Sequence, residues 1–185
     1  LGVSAGKIIE LPNAIDASWL CSAPKPSAAR RRFVFLGRYE RRKGIEELHI
    51  VLSQWIGPDI EFVFIGPIPK AKQLDLSWVK YRGAINSIEL LKAELDQGDI
   101  LVCPSYAEGM PTVILEAMAR GLAIVATDVG AVSAVVDAAN GVLISKLSVR
   151  ALSEALQVVT VLPDKELVAM KNQSLSRVGQ YTWEQ

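Results

Sequence analysis

The chain has 185 residues, enough for one domain with a full hydrophobic core. Half of the residues are apolar and 22% are charged, which excludes a disordered chain. Lys and Arg together number 20, as do Asp and Glu, so the balance gives no reason to expect a nucleic-acid partner. Any anion site must therefore come from a few well-placed cations.

In chain order, residues 22–32 (SAPKPSAARRR) predict a linker, and Arg30 to Arg32 are expected to be solvated there. Strands and helices then alternate along the chain. Apolar runs predict strands over 33–36, 62–65, 100–103, 123–126 and 142–144, and more weakly over 79–82. Helical spacing predicts helices over 45–56, 87–97, 112–120, 148–159 and 165–176. Asn86 is the expected N-cap of the helix over 87–97, with Glu89 as its capping partner, and Gly121 is expected to stop the helix over 112–120.

Short, continuously apolar strands that alternate with helices indicate a doubly wound, Rossmann-like α/β domain with a parallel sheet. Such sheets bind ligands beyond the carboxyl ends of their strands. The loops after Gly37, Gly66, Gly83, Cys103 and Ala126 should therefore line one edge.

Several residues are expected to be structural. His49 is predicted to be a surface or packing residue, Cys103 to lie in the core, and Trp55, Trp78 and Trp183 to be packing residues. Cys21 and Cys103 have no metal-ligand spacing, so we expect no metal site and favour a reducing compartment over a disulfide. No run approaches the roughly 18 apolar residues of a transmembrane helix, and no signal peptide is visible. Because the chain opens without Met and ends abruptly, we interpret it as a fragment.

The first chemical motif runs from Gly37 to Gly44 (GRYERRKG) and joins a predicted strand to a helix. Gly37 permits close approach of the backbone to a ligand. Arg38 offers a planar fork of donors and Lys43 a point charge, which together suit two neighbouring phosphates. The alternative is a solvated basic loop. The segment is neither a Walker loop nor a G-x-G-x-x-G dinucleotide fingerprint.

The second motif places Glu108 and Glu116 eight residues apart around Gly109 and Pro111. Gly109 is expected to adopt a loop conformation forbidden to other residues, and Pro111 suits the first turn of a helix. A carboxylate only accepts hydrogen bonds, so it pairs well with sugar hydroxyls. The alternative is that both glutamates are ordinary surface charges.

Five motifs in this order resemble the C-terminal domain of the family 4 retaining glycosyltransferases, which have the two-domain "B" glycosyltransferase fold. They are residues 8–16 (IIELPNAID), with Ala14 in place of the usual Gly, the segment 37–44, the E-x7-E segment 108–116, residues 127–130 (TDVG) and residues 181–184 (YTWE). The chain departs from the family at 130–134 (GAVSA for G-G-x-P-E) and after Gly66, where the common second Gly is missing.

The resemblance implies roles for the matching positions. Arg38 and Lys43 would contact the donor diphosphate and, with Glu108, form the catalytic group. Glu108 would hold the transferred sugar, Glu116 the ribose, and the loop around Arg82 and Gly83 the base. The remaining substrate-binding positions would be Gly37 and the backbone of Gly109, Met110, Pro111 and Thr112. The family generally works without the D-x-D metal motif, so we expect no cofactor and no metal, with the nucleoside diphosphate sugar as substrate.

The same resemblance implies a hexosyltransferase that retains the anomeric configuration and acts on an acceptor hydroxyl in cell-envelope polysaccharide or glycolipid synthesis. It divides the chain into an interdomain segment and linker over 1–32, a nucleotide-sugar-binding domain over 33–178 and the start of a closing helix over 179–185. The partner would be an N-terminal acceptor-binding domain, without which the fragment is expected to be inactive. We expect a cytoplasmic location, and peripheral association of the full-length enzyme with the inner face of the membrane stays open.

Other functions remain open at this stage. One is a non-catalytic nucleotide-sugar-binding module, and another is a nucleotide-sugar epimerase of related fold. A phosphorylase would need a lysine for pyridoxal phosphate, which cannot be identified here. The absent fingerprint disfavours a nicotinamide dehydrogenase. A flavodoxin-like partner-binding domain would show no affinity for nucleoside diphosphates.

Overall fold

The computed structural model describes residues 12–26, 30–57 and 59–184. Six parallel strands form one sheet in the order β3-β2-β1-β4-β5-β6. The strands are β1 (Arg31–Leu36), β2 (Ile60–Ile65), β3 (Val79–Gly83), β4 (Ile100–Cys103), β5 (Ala123–Thr127) and β6 (Gly141–Ile144). The helices are α1 (Ile45–Ser53), α2 (Ile88–Leu95), α3 (Thr112–Ala119), α4 (Val132–Val135), α5 (Val149–Thr160) and α6 (Asp164–Val178). The strand order reverses between β1 and β4, which confirms the doubly wound α/β fold.

Both faces of the sheet are covered because alternate strand residues point to opposite sides. On one face, Phe33 and Phe35 stack against Phe62 and Phe64, with ring centroids 6.1 and 5.5 Å apart, and α1 and α5 cover them. On the other face, residues such as Val34 pack against α3. Each buried Phe side chain contributes about 1.5–3 kcal/mol. These two layers make the strands rigid and fix where the loops at their ends emerge.

The predicted solvated linker over 22–32 is wrong at its end, because β1 begins at Arg31. The side chain of Arg31 is only 9% exposed, and its guanidinium lies 2.6 Å from Asp164 and donates to the carbonyl of Leu162 at 2.9 Å. Arg32 pairs with Glu94 at 3.3 Å. A charged run can enter a sheet at the end of a strand if each cation finds an acceptor, and both do here.

Two other local predictions need correction. Ser87 caps α2, not Asn86: its hydroxyl accepts from the amide of Leu90 at 3.3 Å and donates to Glu89 at 2.9 Å. The helix predicted over 45–56 ends at Ser53, and Ile56 is 90% exposed.

Among the tryptophans, Trp55 and Trp78 pack against the core as predicted, but Trp183 is 66% exposed. Cys103 is buried and His49 packs edge-on against Phe64, with ring centroids 5.2 Å apart, so both are structural as expected. Both cysteines are free thiols.

The two terminal segments of the described chain meet beside the sheet. Ile15 and Thr182 form an isolated parallel bridge, in which the Ile15 amide donates to Tyr181 at 2.9 Å and the Trp183 amide donates to Ile15 at 3.1 Å. Residues 179–184 contain turns and this bridge but no helix, so the closing helix stays a prediction. Residues 8–11 of the first family motif lie outside the described residues. No helix within the described ranges is long and apolar enough to cross a membrane.

Candidate functional site

A cleft of about 280 Å³ opens at the carboxyl edge of the sheet, and we call it the edge cleft. The residues that follow β1, β2 and β3 line it, among them Gly37, Gly66 and Ala84, and Val113 of α3 closes one side. It lies where parallel α/β sheets bind ligands, which confirms the predicted position of these loops. Arg38 and Lys43 are the predicted phosphate contacts, and both face this cleft.

Lys43 and Glu108 form a direct ion pair at the cleft. The Lys43 ammonium lies 2.7 Å from Oε1 of Glu108, and the two side chains are only 15% and 8% exposed. The Ser105 hydroxyl donates to the same oxygen at 2.7 Å. Nη1 of Arg42 lies 3.9 Å from the other oxygen, Oε2. The proposed phosphate cation and the proposed sugar acceptor are thus one charge-assisted unit.

The loops that carry this pair are tied to each other through Tyr106. Its amide donates to the carbonyl of Arg42 at 2.7 Å, and its hydroxyl donates to Glu47 of α1 at 2.7 Å. Arg41 stacks on the Tyr106 ring at 4.4 Å and donates to Glu47 at 2.8 Å. Burial opposes ionisation of Glu47, but the bonds from Tyr106 and Arg41 outweigh it and hold its pKa below the usual value. These contacts pre-organise Lys43 and Glu108.

Arg38 is an exposed cation of the site. Its side chain is 67% exposed, and its Nε lies 2.9 Å from Oε1 of Glu40. The other oxygen of Glu40 accepts from Arg42 at 2.8 Å, and this bond, with the nearby cations, lowers the pKa of Glu40. Arg38 can therefore leave Glu40 for a stronger anion at the cleft, since solvent screens an exposed ion pair.

Glu116 lies one turn inside α3, and its side chain makes no hydrogen bond or ion pair with another described residue. Burial raises the pKa of this carboxyl. The N-terminus of α3 also lacks a side-chain cap, because its N-cap residue is Pro111. Amide donors of the first turn and an unpaired carboxylate are thus available together at one helix start.

The conformational role predicted for Gly109 is wrong, and Gly130 has it instead. Gly109 does not have a positive φ, and a Cβ there would meet nothing within 4 Å. Gly130 has φ +58°, and a Cβ there would overlap the carbonyl oxygens of Glu108 and Gly109. The next amide, that of Ala131, donates to Gly109 at 2.8 Å. The loop after β5 therefore packs directly against the backbone of the E-x7-E loop, and the space that a side chain at Gly109 would enter is open.

The predicted base contacts, Arg82 and Gly83, lie next to the edge cleft in the chain but not in its lining. Arg82 turns to Glu94, with Nε 3.2 Å from Oε1, and neither it nor Gly83 lines the edge cleft. Ala84 and Ile85 line it instead.

A second cavity of about 540 Å³ adjoins Gly109 and Met110. It is also lined by Asn13, Ala134 and Tyr181, and the Asn13 amide donates to the carbonyl of Met110 at 2.7 Å. Ala134 stands where the family pattern has Glu, which leaves this cavity open. Within the described parts of the chain, no cluster of three or more His, Cys, Asp or Glu side chains could hold a metal, and the absence of a metal from the reaction stays a prediction.

A family model described as "Glycosyl transferases group 1" matches residues 30–160. The chain belongs to this family. A curated relative, the putative teichuronic acid biosynthesis glycosyltransferase TuaC of Bacillus subtilis, is 35% identical over 127 residues, which cover 69% of this chain and 32% of the relative.

Two solved structures show the same fold. One is the C-terminal domain of the group 1 glycosyltransferase LpcC from Francisella tularensis, with a TM-score of 0.73 and 22% identity over 91% of this chain and 99% of that domain. The other is HepE of Anabaena in complex with UDP and glucose, with a TM-score of 0.72 and 19% identity over 92% of this chain and 51% of HepE. The chain spans a third to a half of the curated relatives it matches, between 31% and 48% of their length.

Proposed function

We propose that this chain is the donor-binding half of a retaining hexosyltransferase and that it binds a nucleoside diphosphate sugar at the edge cleft. The observation that carries the proposal is the buried Lys43–Glu108 pair beside the uncapped start of α3. A cation for phosphate, a carboxylate for sugar hydroxyls and free amide donors meet within one loop cluster. The structural neighbour HepE was solved in complex with UDP and glucose, which supports this class of ligand.

In this arrangement the diphosphate lies against Lys43 and the uncapped turn of α3, and Arg38 moves from Glu40 to join them. The sugar is held by Glu108 above the open space at Gly109. Glu116 accepts from the ribose hydroxyls. The base lies near Ala84 and Ile85, two residues beyond the positions that the motif implied.

Transfer breaks the bond between the anomeric carbon and the diphosphate, so negative charge develops on the leaving oxygen. Lys43 and Arg38 are the groups that stabilise this charge, and the pre-organised Lys43 needs no reorganisation at the moment of reaction. Glu108 has one oxygen occupied by Lys43 and Ser105. Because the Lys43 ammonium, 2.7 Å from Oε1, weakens this carboxylate as a nucleophile, we assign Glu108 to holding the sugar and not to nucleophilic attack.

The acceptor and its binding domain belong to the whole enzyme. We propose that a preceding domain supplies them, that the acceptor is a cell-envelope polysaccharide or glycolipid, and that the enzyme works in the cytoplasm, including at the inner face of the membrane. The name of the Bacillus relative, a teichuronic acid glycosyltransferase, supports an envelope glycan. Robust sugar transfer by this chain alone would contradict the half-enzyme proposal.

Calorimetry with UDP, GDP and ADP tests the binding site. We expect one of them to bind, and Lys43→Ala to weaken that binding by about tenfold or more, since a charge-assisted contact contributes about 1.5–3 kcal/mol. Arg150→Ala is the matched control, because Arg150 is an 89% exposed cation on α5 away from the cleft. Equal affinity in the two variants would remove Lys43 from the site.

A further inference from the structure

Ser105 is a buried hydroxyl that no motif assigned. It lies two residues after the end of β4 and is 1% exposed. Its Oγ donates to Oε1 of Glu108 at 2.7 Å. Since Glu108 is only three residues further along, this bond closes the loop on itself and limits the positions that the carboxylate can take.

The bond also determines which oxygen of Glu108 is available. Oε1 already accepts from Lys43 and from Ser105, both at 2.7 Å. Each carboxylate oxygen has about two acceptor positions, so Oε1 is saturated. Oε2 lies 3.9 Å from the nearest Arg42 nitrogen, which is beyond hydrogen-bond distance. The free acceptor of the site is therefore Oε2.

The direction of donation is fixed by Glu108, because an ionised carboxylate has no hydrogen to donate. Sγ of Cys103 lies 3.7 Å from the Ser105 oxygen. Burial raises the pKa of the Cys103 thiol to about 11, so the thiol keeps its proton at neutral pH. The carboxylate can only accept. Ser105 therefore donates a hydrogen bond to Glu108, and its oxygen is free to accept one from the Cys103 thiol.

Lys43 is shared between Glu108 and the diphosphate once a donor is bound in the proposed function. Its ammonium sits on a flexible four-carbon stem and, in the proposed function, turns part of its hydrogen-bonding capacity to the diphosphate. The Ser105 side chain is short and buried, and the proposed function does not place it against the diphosphate. Its hold on Oε1 is therefore independent of the nucleotide.

We infer that Ser105 is a positioning residue that fixes Glu108 with Oε2 toward the donor sugar, and that it thereby determines affinity for the sugar but not for the nucleotide. The inference rests on the proposed function, in which Glu108 contacts the sugar. Ser105 itself touches no substrate.

The test compares two ligands on the same protein. Calorimetry measures the dissociation constants of UDP and UDP-glucose, GDP and GDP-mannose, and ADP and ADP-glucose for the wild-type chain, Ser105→Ala and Ser105→Thr. For the pair that binds, Ser105→Ala is expected to weaken the nucleotide sugar by about tenfold and the nucleoside diphosphate by less than about twofold. Ser105→Thr keeps the hydroxyl and is expected to restore the sugar affinity to within about threefold.

The ratio of the two constants separates positioning from damage to the fold. A variant that is partly unfolded loses both ligands equally, so its ratio stays at the wild-type value. The inference is overturned if Ser105→Ala leaves the ratio of the nucleotide-sugar constant to the nucleoside diphosphate constant at the wild-type value. It is also overturned if folded Ser105→Thr changes that ratio as much as Ser105→Ala does. Either result leaves the proposed function intact. A wild-type chain that binds none of the six ligands overturns both.

Discussion

Gly130→Ala should loosen the loop that carries Glu108, although residue 130 lies on a different strand connection. Gly130 has φ +58°, and an added Cβ would overlap the carbonyl oxygens of Glu108 and Gly109. The loop must then move away, and the bond from the Ala131 amide to Gly109, 2.8 Å long, is lost.

The magnitude follows from these two contacts. A left-handed conformation costs an alanine about 1–2 kcal/mol. A lost backbone hydrogen bond costs about 0.5–1.5 kcal/mol. The free energy of unfolding should therefore fall by about 1.5–3.5 kcal/mol, and Tm by about 3–14 °C for a domain of this size. Affinity for the nucleotide sugar should fall with it, because Glu108 is displaced.

Two other glycines serve as matched controls in urea and thermal unfolding. Gly83 has φ +70° but free space around a Cβ, so Gly83→Ala measures the backbone strain alone. Gly109 has free space and no positive φ, so Gly109→Ala should be nearly neutral for stability. If Gly130→Ala lowers Tm no more than Gly83→Ala does, the steric contact with the Glu108 loop is refuted.

Three further predictions concern buried charge. The ammonium of Lys171 lies 2.9 Å from the buried carboxylate of Asp99, and Lys171→Met leaves that carboxylate without its cation. The free energy of unfolding, measured by urea titration, should therefore fall by about 3–5 kcal/mol. A loss below about 1 kcal/mol would contradict this. Burial raises the pKa of Glu116, so its ionised form is disfavoured in the folded state as pH rises above the ordinary 4.5. Glu116→Gln should therefore raise Tm at neutral pH and weaken nucleotide binding by about tenfold in calorimetry. An unchanged Tm would contradict the prediction that the ionised Glu116 side chain destabilises the fold. Burial lowers the pKa of His49, so protonation favours unfolding and stability should fall as pH drops below the ordinary 6.5. His49→Phe should remove this slope between about pH 7.5 and about pH 5.5, and a slope that persists would assign it to other groups.

The strands and the position of the site could be predicted from the sequence because each depends on a local pattern. Continuous apolar runs identified five strands, and a weaker pattern identified β3, all to within about two residues, a normal boundary error. The rule that ligands bind at carboxyl strand ends then placed Gly37 and Gly66 at one edge. The family resemblance assigned Lys43 and Glu108 to the same ligand, although they are 65 positions apart.

Features that depend on contact between distant segments could not be predicted. Nothing local to Ser105 shows that its hydroxyl shares an oxygen with Lys43, and nothing local to Gly130 shows which carbonyls it touches. The choice between Asn86 and Ser87 as N-cap failed for another reason: both residue types cap helices well, and neighbouring residues compete for the position. Arg31 was misjudged because its acceptor, Asp164, is supplied by α6.

The bridge between Ile15 and Thr182 has a mechanical consequence. In a parallel pairing, the chain that leads into Ile15 and the chain that leads away from Thr182 depart in opposite directions. Tension between them therefore loads the two hydrogen bonds, 2.9 and 3.1 Å long, in shear, and both must yield together. A force applied between these two chain segments is carried by the bridge and not by the strands of the sheet. The loops that hold Lys43 and Glu108 therefore bear no load while the bridge is intact.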